Sequence, residues 1–259
     1  MARTGSLVYV SSLAFLVLFA AASIAGVVAP EQTYRFVQVA EVYQSNDLVN
    51  LLFAAPLLIV ALVFARRKSF ARCLWAAVLF YSIYNDIAYI YAMPPSIGFV
   101  LHVGLLGLGV YTLVALFRGI GDPSPEPGGA AGLRPIHRVA GMILALLGAT
   151  FAVRAVIEML AVATSGAEFN AAAFPVLVAD LLIAPAWIVV GVMLAVNRPF
   201  GRRAGQAAAF HMAMLFIGLL LLLVLQPMVT GAAFNVEDFA VVAGMAVIGT
   251  LPAVFLARR

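Results

Sequence analysis

Asp86 follows Asn85 and Ser82 and precedes Tyr89, inside a run that is otherwise apolar enough to cross a bilayer. Helical spacing puts Ser82, Asn85, Asp86 and Tyr89 on one face. That face must point into a bundle, because lipid does not solvate a carboxylate. Asp180 lies about two turns into another apolar run, and Asn46, Asp47 and Asn50 open a third. His102 sits a turn or so inside the run that follows Asp86, and Gln226 stands near the end of the seventh run. Arg154 and Glu158 are four apart, the spacing of an ion pair on one helical face.

Without that pair, Asp86 and Asp180 have only His102 as a nearby base. A buried carboxylate without a counter-charge takes up a proton or binds a cation. The excess of acid therefore predicts proton-titrating carboxylates, or an acidic pocket filled by a cation. The expected pocket comprises Asp47, Asn50, Ser82, Asn85, Asp86, Tyr89, His102, Arg154, Glu158, Asp180 and Gln226. His102 with Asp86, Glu158 and Asp180 would form a metal-ligating set if all four converged, although no His-Glu-x-x-His pair supports it. A lone buried histidine is more often a hydrogen-bonded core residue. Tyr84 and Tyr91, on a neighbouring face, read as packing or interfacial aromatics.

The elements that must position these side chains are transmembrane helices. The chain has 259 residues, 65% hydrophobic and 10% charged, with a mean hydropathy of +1.10. Soluble domains carry roughly a quarter charged residues. Runs near 7–28, 47–65, 71–92, 97–117, 138–163, 174–196, 207–229 and 238–257 each have a length suited to a span. Leu219 to Leu225 does not alternate as a barrel strand would, so an all-α bundle of about eight spans is expected. The first run has a short basic start but is longer than a typical signal core, and it reads as a membrane anchor.

The cations fall in alternate loops. Arg66, Arg67, Lys68 and Arg72 follow the second run, Arg118, Arg134 and Arg138 flank the loop after the fourth, and Arg198, Arg202 and Arg203 follow the sixth. Arg3 and Arg258-Arg259 lie on the same side. The opposite loops hold Arg35 against Glu31, Glu41, Glu168, Glu237 and Asp238. The positive-inside rule then places both termini in the cytoplasm, in an inner-membrane protein. Topology accounts for the basic loops, so no nucleic-acid partner is implied. Cys73 is the sole cysteine, which leaves no intrachain disulfide.

The Gly- and Pro-rich stretch 119–136 reads as a cytoplasmic linker between two four-span halves, 1–118 and 137–259. Leu51 to Pro56 leading to Phe70 matches Asp180 to Pro185 leading to Phe200, and Thr112 to Arg118 matches Thr250 to Leu256. Four spans separate the matched segments, so the repeat would be parallel. Pro56, Pro185 and Pro227 can each free a carbonyl and bend a helix. The pattern around Asn50 and Pro56, with Asp180-x4-Pro185 and Arg198-Pro199-Phe200-Gly201, resembles a group of bacterial polytopic membrane proteins. That resemblance implies an architecture and no activity.

Several cofactors are not expected. Retinal needs a lysine within a span, and the single lysine, Lys68, lies in a loop. The four-plus-four arrangement is similar to haem A synthase, but the paired axial histidines are missing, and His137 and His211 belong near the side opposite His102. No nucleotide motif occurs. The partners expected are membrane lipid and a small solute or cation. A secondary transporter with proton-titrating carboxylates ranks first. A membrane enzyme using Asp and His chemistry, or a sensory or assembly protein, ranks behind it.

Overall fold

A computed structural model describes residues 2–119, 135–165, 170–231 and 233–257. The linker expected at 119–136 falls mainly outside the described residues, as do Glu168, Arg134, Arg258, Arg259 and the Arg3 side chain. Every regular element among the described residues is helical. Eight helices are long and apolar enough to cross a membrane. They are α1 (Ala2–Val28), α2 (Ala40–Phe64), α3 (Ser69–Ala92), α4 (Ile97–Gly119), α5 (Pro135–Ser165), α6 (Phe174–Ala195), α7 (Pro199–Thr230) and α8 (Val236–Ala257). A one-turn helix, Pro30–Thr33, lies between α1 and α2.

Helices α2 and α7 start furthest ahead of where hydropathy predicts. Helix α2 begins at Ala40 rather than 47, because its polar first turns face protein rather than lipid: Tyr43, Ser45 and Asp47 are all buried. Helix α7 begins at Pro199 rather than 207. Asn197, with φ 60°, ends the preceding helix, and the Arg198 N–H closes back on the Met193 carbonyl at 2.7 Å. Pro199 then starts the next helix at a position whose N–H needs no partner.

Pro56 shapes α2 in a specific way. It has no N–H for the carbonyl of residue 52, and its ring would crowd that carbonyl. The helix widens over Asn50–Ala54 into one π turn, in which the Ala55 N–H reaches back to the Asn50 carbonyl. Pro185 and Pro227 instead sit within continuous α-helix.

Helix α3 is central, and every residue from Tyr81 to Tyr89 is buried. It packs on α2, α4, α6 and α7. Helix α7 packs on α2, α3, α6 and α8, while α1 covers α2 and α4, and α5 covers α6 and α8. Advancing every helix by four places carries α1–α4 onto α5–α8, α2–α3 onto α6–α7, and α2–α7 onto α6–α3. Helices α5 and α6 meet backbone to backbone. A Cβ on Gly191 would stand 2.6 Å from the Gly141 carbonyl oxygen, so both positions require glycine for the backbones to meet.

Candidate functional site

The buried polar groups gather toward the end of the bundle where α2, α4, α6 and α8 begin, hereafter the acidic end. Asp47 projects from the second turn of α2 and is 1% exposed. Its Oδ1 accepts from the Tyr89 hydroxyl at 2.8 Å, and its Oδ2 accepts from the Tyr34 hydroxyl. The carboxylate lies against the backbone of α1 at Gly26, where any Cβ would overlap it. Burial first, and then the Asp47 carboxylate, push the Tyr34 phenol above its ordinary range, so Tyr34 remains a neutral donor. Tyr43 closes this cage through ring contacts with Tyr34 and Tyr89 at 6.0 and 5.0 Å.

Tyr89 joins the cage to a second carboxylate. Its ring stacks on His102 with centroids 4.2 Å apart and planes within 4°. His102 Nδ1 meets Asp86 Oδ1 at 2.8 Å, with both side chains buried. Asp86 Oδ2 is buried and has no hydrogen-bond partner among the described residues. The imidazole bonds one carboxylate, Asp86, and stacks on the tyrosine that bonds the other, Asp47.

A third carboxylate lies on the other flank of α3. Asp180 Oδ1 accepts from the Tyr84 hydroxyl at 2.8 Å, while its Oδ2 is buried without a partner among the described residues. Arg154 Nε donates to Glu158 Oε1 at 2.7 Å, and the Arg154 charge also acts on Asp180. Between α2, α3, α5, α6 and α7 is a cavity of about 160 Å³, whose wall includes Asn46, Tyr84, Asn85, Tyr89, Arg154 and Asp180. Asn46 Nδ2 donates to Asn85 Oδ1 at 3.2 Å and to Tyr89 Oη at 3.1 Å. The cavity wall and the Asp47 cage thus share side chains.

Seven of the eleven residues expected to form one pocket divide into two groups. Asn85, Tyr89, Arg154 and Asp180 line the cavity, while Asp47, Asp86 and His102 form a closed network behind it. Ser82 faces inward but spends its hydroxyl on the Val78 carbonyl of its own helix, at 3.0 Å. Asn50 is buried at the π turn with an unpartnered Oδ1 among the described residues. Gln226 and Glu158 are outside the cavity wall. No three His, Cys, Asp or Glu side chains gather as a metal set among the described residues, and the four conditional ligands separate. Asp86 meets His102, Asp180 meets Tyr84, and Glu158 meets Arg154.

Tyr84 is a hydrogen-bond donor to a buried carboxylate, not only a packing aromatic. The signal for it was available, because spans this poor in cations must satisfy buried acids with hydroxyls. Tyr91 does pack, edge-on to Phe174 at 6.2 Å. Tyr34 and Gly26 carried no such signal, since no helical period links them to Asp47.

The opposite half is packed with apolar side chains among the described residues. Leu58, Leu79, Leu194 and Met212 are fully buried there. His211 is enclosed with them, accepting at Nδ1 from Trp187 Nε1 at 2.9 Å and stacked on Phe80 at 4.0 Å. The molecule is a polytopic helical membrane protein with buried acidic residues. No family model, curated protein or solved structure matches the chain.

Proposed function

We propose that this protein is a secondary transporter that takes a small solute into the cavity at the acidic end and couples its movement to protons on the adjoining carboxylates. The observation that carries the reading is the shared wall. Asn46 and Tyr89 belong both to the cavity and to the hydrogen-bonded surroundings of Asp47. A change in solute occupancy therefore acts directly on a buried acid. The dense apolar packing of Leu58, Leu79, Leu194 and Met212 in the opposite half suits one state of an alternating-access cycle.

The correspondence of helix neighbours between α1–α4 and α5–α8 supports two duplicated halves, 1–118 and 137–259, joined by a linker at 119–136. Ligand sites of such proteins lie where the halves meet, and the cavity draws on α2 and α3 from one half and on α5, α6 and α7 from the other. The charge bias of the loops supports an inner-membrane location with both termini in the cytoplasm.

One observation favours a second reading, a membrane enzyme. The 2.8 Å Asp86–His102 pair has the form of a base held by an orienting carboxylate. His102 is only 6% exposed and covered by Tyr89, so a substrate would reach it only after Tyr89 moved.

The test is reconstitution into liposomes enclosing a pH-sensitive dye, followed by addition of pooled small solutes. The expected result is solute-dependent proton movement in the wild type and its loss in Asp86→Asn, with Asp86→Asn still folded by gel filtration. Absence of solute-dependent proton movement in the wild type, or equal movement in Asp86→Asn, overturns the coupling.

A further inference from the structure

The geometry points to a zwitterion with an apolar substituent, of the α-amino-acid class, as the solute, its carboxylate on Arg154 and its ammonium group on Asp180; this deepens the transport reading and rests on it.

Three observations converge. First, the cavity wall presents one guanidinium, whose Nε is held by Glu158, and one carboxylate. A lone cation would meet Arg154 and a lone anion would meet Asp180. A solute carrying both charges on neighbouring atoms satisfies the two together.

Second, each group keeps unused bonding capacity. Tyr84 takes Asp180 Oδ1, whereas Oδ2 belongs to a side chain 3% exposed and has no partner among the described residues. A buried charged oxygen without a donor is costly, and an ammonium group that turned the Asp180 carboxylate toward the cavity would supply one. Glu158 takes Arg154 Nε. Among the described residues, that leaves the terminal guanidinium nitrogens, which can bind a carboxylate through parallel hydrogen bonds.

Third, the rest of the wall suits an apolar substituent. Phe151, Leu215, Phe216 and Leu219 line it. The volume, about 160 Å³, is far above the roughly 10–15 Å³ that one water requires. The Gly141–Gly191 crossing holds α5 against α6, and so fixes the helices that carry Arg154 and Asp180 before the solute arrives.

The experiment measures ligand-induced thermal stabilisation of the full chain in lipid nanodiscs. Leucine and phenylalanine are compared with isopentylamine, which lacks the carboxylate, and with 4-methylpentanoate, which lacks the amine. The amino acids should bind at least about tenfold more tightly than either fragment, since each fragment leaves one charged group unmatched. Arg154→Gln should abolish the preference over the amine, and Asp180→Asn the preference over the acid. Should Arg154→Gln fail to fold, Arg154→Lys keeps the charge, loses the parallel grip, and should weaken leucine more than isopentylamine. If the amine binds as tightly as the amino acid and Arg154→Gln leaves it unchanged, the site takes a simple cation; the zwitterion falls and transport survives. If none of the four probes stabilises the wild type, the amino-acid class falls, while the flux assay on pooled solutes still judges transport independently.

Discussion

A carboxylate within a membrane protein needs donors, and at Asp47 those donors are phenols rather than cations. Tyr89 both donates to Asp47 and accepts from Asn46. Tyr89→Phe therefore takes a donor from buried Asp47 and an acceptor from half-buried Asn46, and should lower stability by about 1–3 kcal/mol, read as a fall in thermal midpoint in detergent. Gly26 tests the cage from the other side. A Cβ there would stand 2.8 Å from Asp47 Cγ and overlap its Oδ2. Gly26→Ala should destabilise by about 1–3 kcal/mol through overpacking. Gly107→Ala, on α4 with open space around it, should leave the midpoint nearly unchanged.

Tyr34 carries a pH signature. Its folded-state phenol is held above the ordinary value of 10.0, while the unfolded chain titrates at that value. The unfolded form thus loses its proton first, and Tyr34's contribution is complete below pH 10 and declines as pH rises beyond it. Midpoints recorded across alkaline pH should fall less steeply in Tyr34→Phe than in the wild type. Equal slopes would mean that Tyr34 is ionised as easily in the folded protein as out of it.

The elements impose constraints of their own. In α2 a π turn accommodates one residue more than an α turn, and Pro56 is its physical cause. Deleting Leu52, which is 65% exposed, in a Pro56→Ala background should restore ordinary winding while keeping Asn50 and Asp47 buried. The deletion is expected to fold, whereas deleting Ala61, in regular helix, would rotate every side chain beyond it and should not. At the α5–α6 crossing, Gly191→Leu would force apart the helices that carry Arg154 and Asp180. It should weaken any cavity ligand by more than it lowers the melting midpoint, which a ligand titration in nanodiscs would reveal.

At the scale of the whole molecule, the alternation of basic and acidic loops makes a sided prediction. In a Cys73→Ser background, Lys68→Cys should react with an impermeant maleimide only in inverted vesicles, and Glu31→Cys only in intact spheroplasts. The reverse pattern would turn the protein over and place the cavity mouth in the cytoplasm.

The number and type of spans were legible from apolar run length alone, because a bilayer demands about 20 residues of helix from any chain that crosses it. The inward face of α3 was legible too, since Ser82, Asn85, Asp86 and Tyr89 recur at helical spacing and a carboxylate excludes lipid from that face. The Arg154–Glu158 bond follows from four-residue spacing. Other features had no local signal. The early start of α2 was hidden because hydropathy measures cost against lipid, and Tyr43, Ser45 and Asp47 face protein. His102 was legible as the base near Asp86, and the need for hydroxyl donors was legible too; which tyrosine meets which acid was hidden, because Asp47 with Tyr34 and Asp180 with Tyr84 lie on different segments. Composition and period determine which residues must turn inward; only the packing of α3 between its neighbours decides which of them meet, because a hydrogen bond depends on ångström-scale distances that sequence spacing does not set across separate helices.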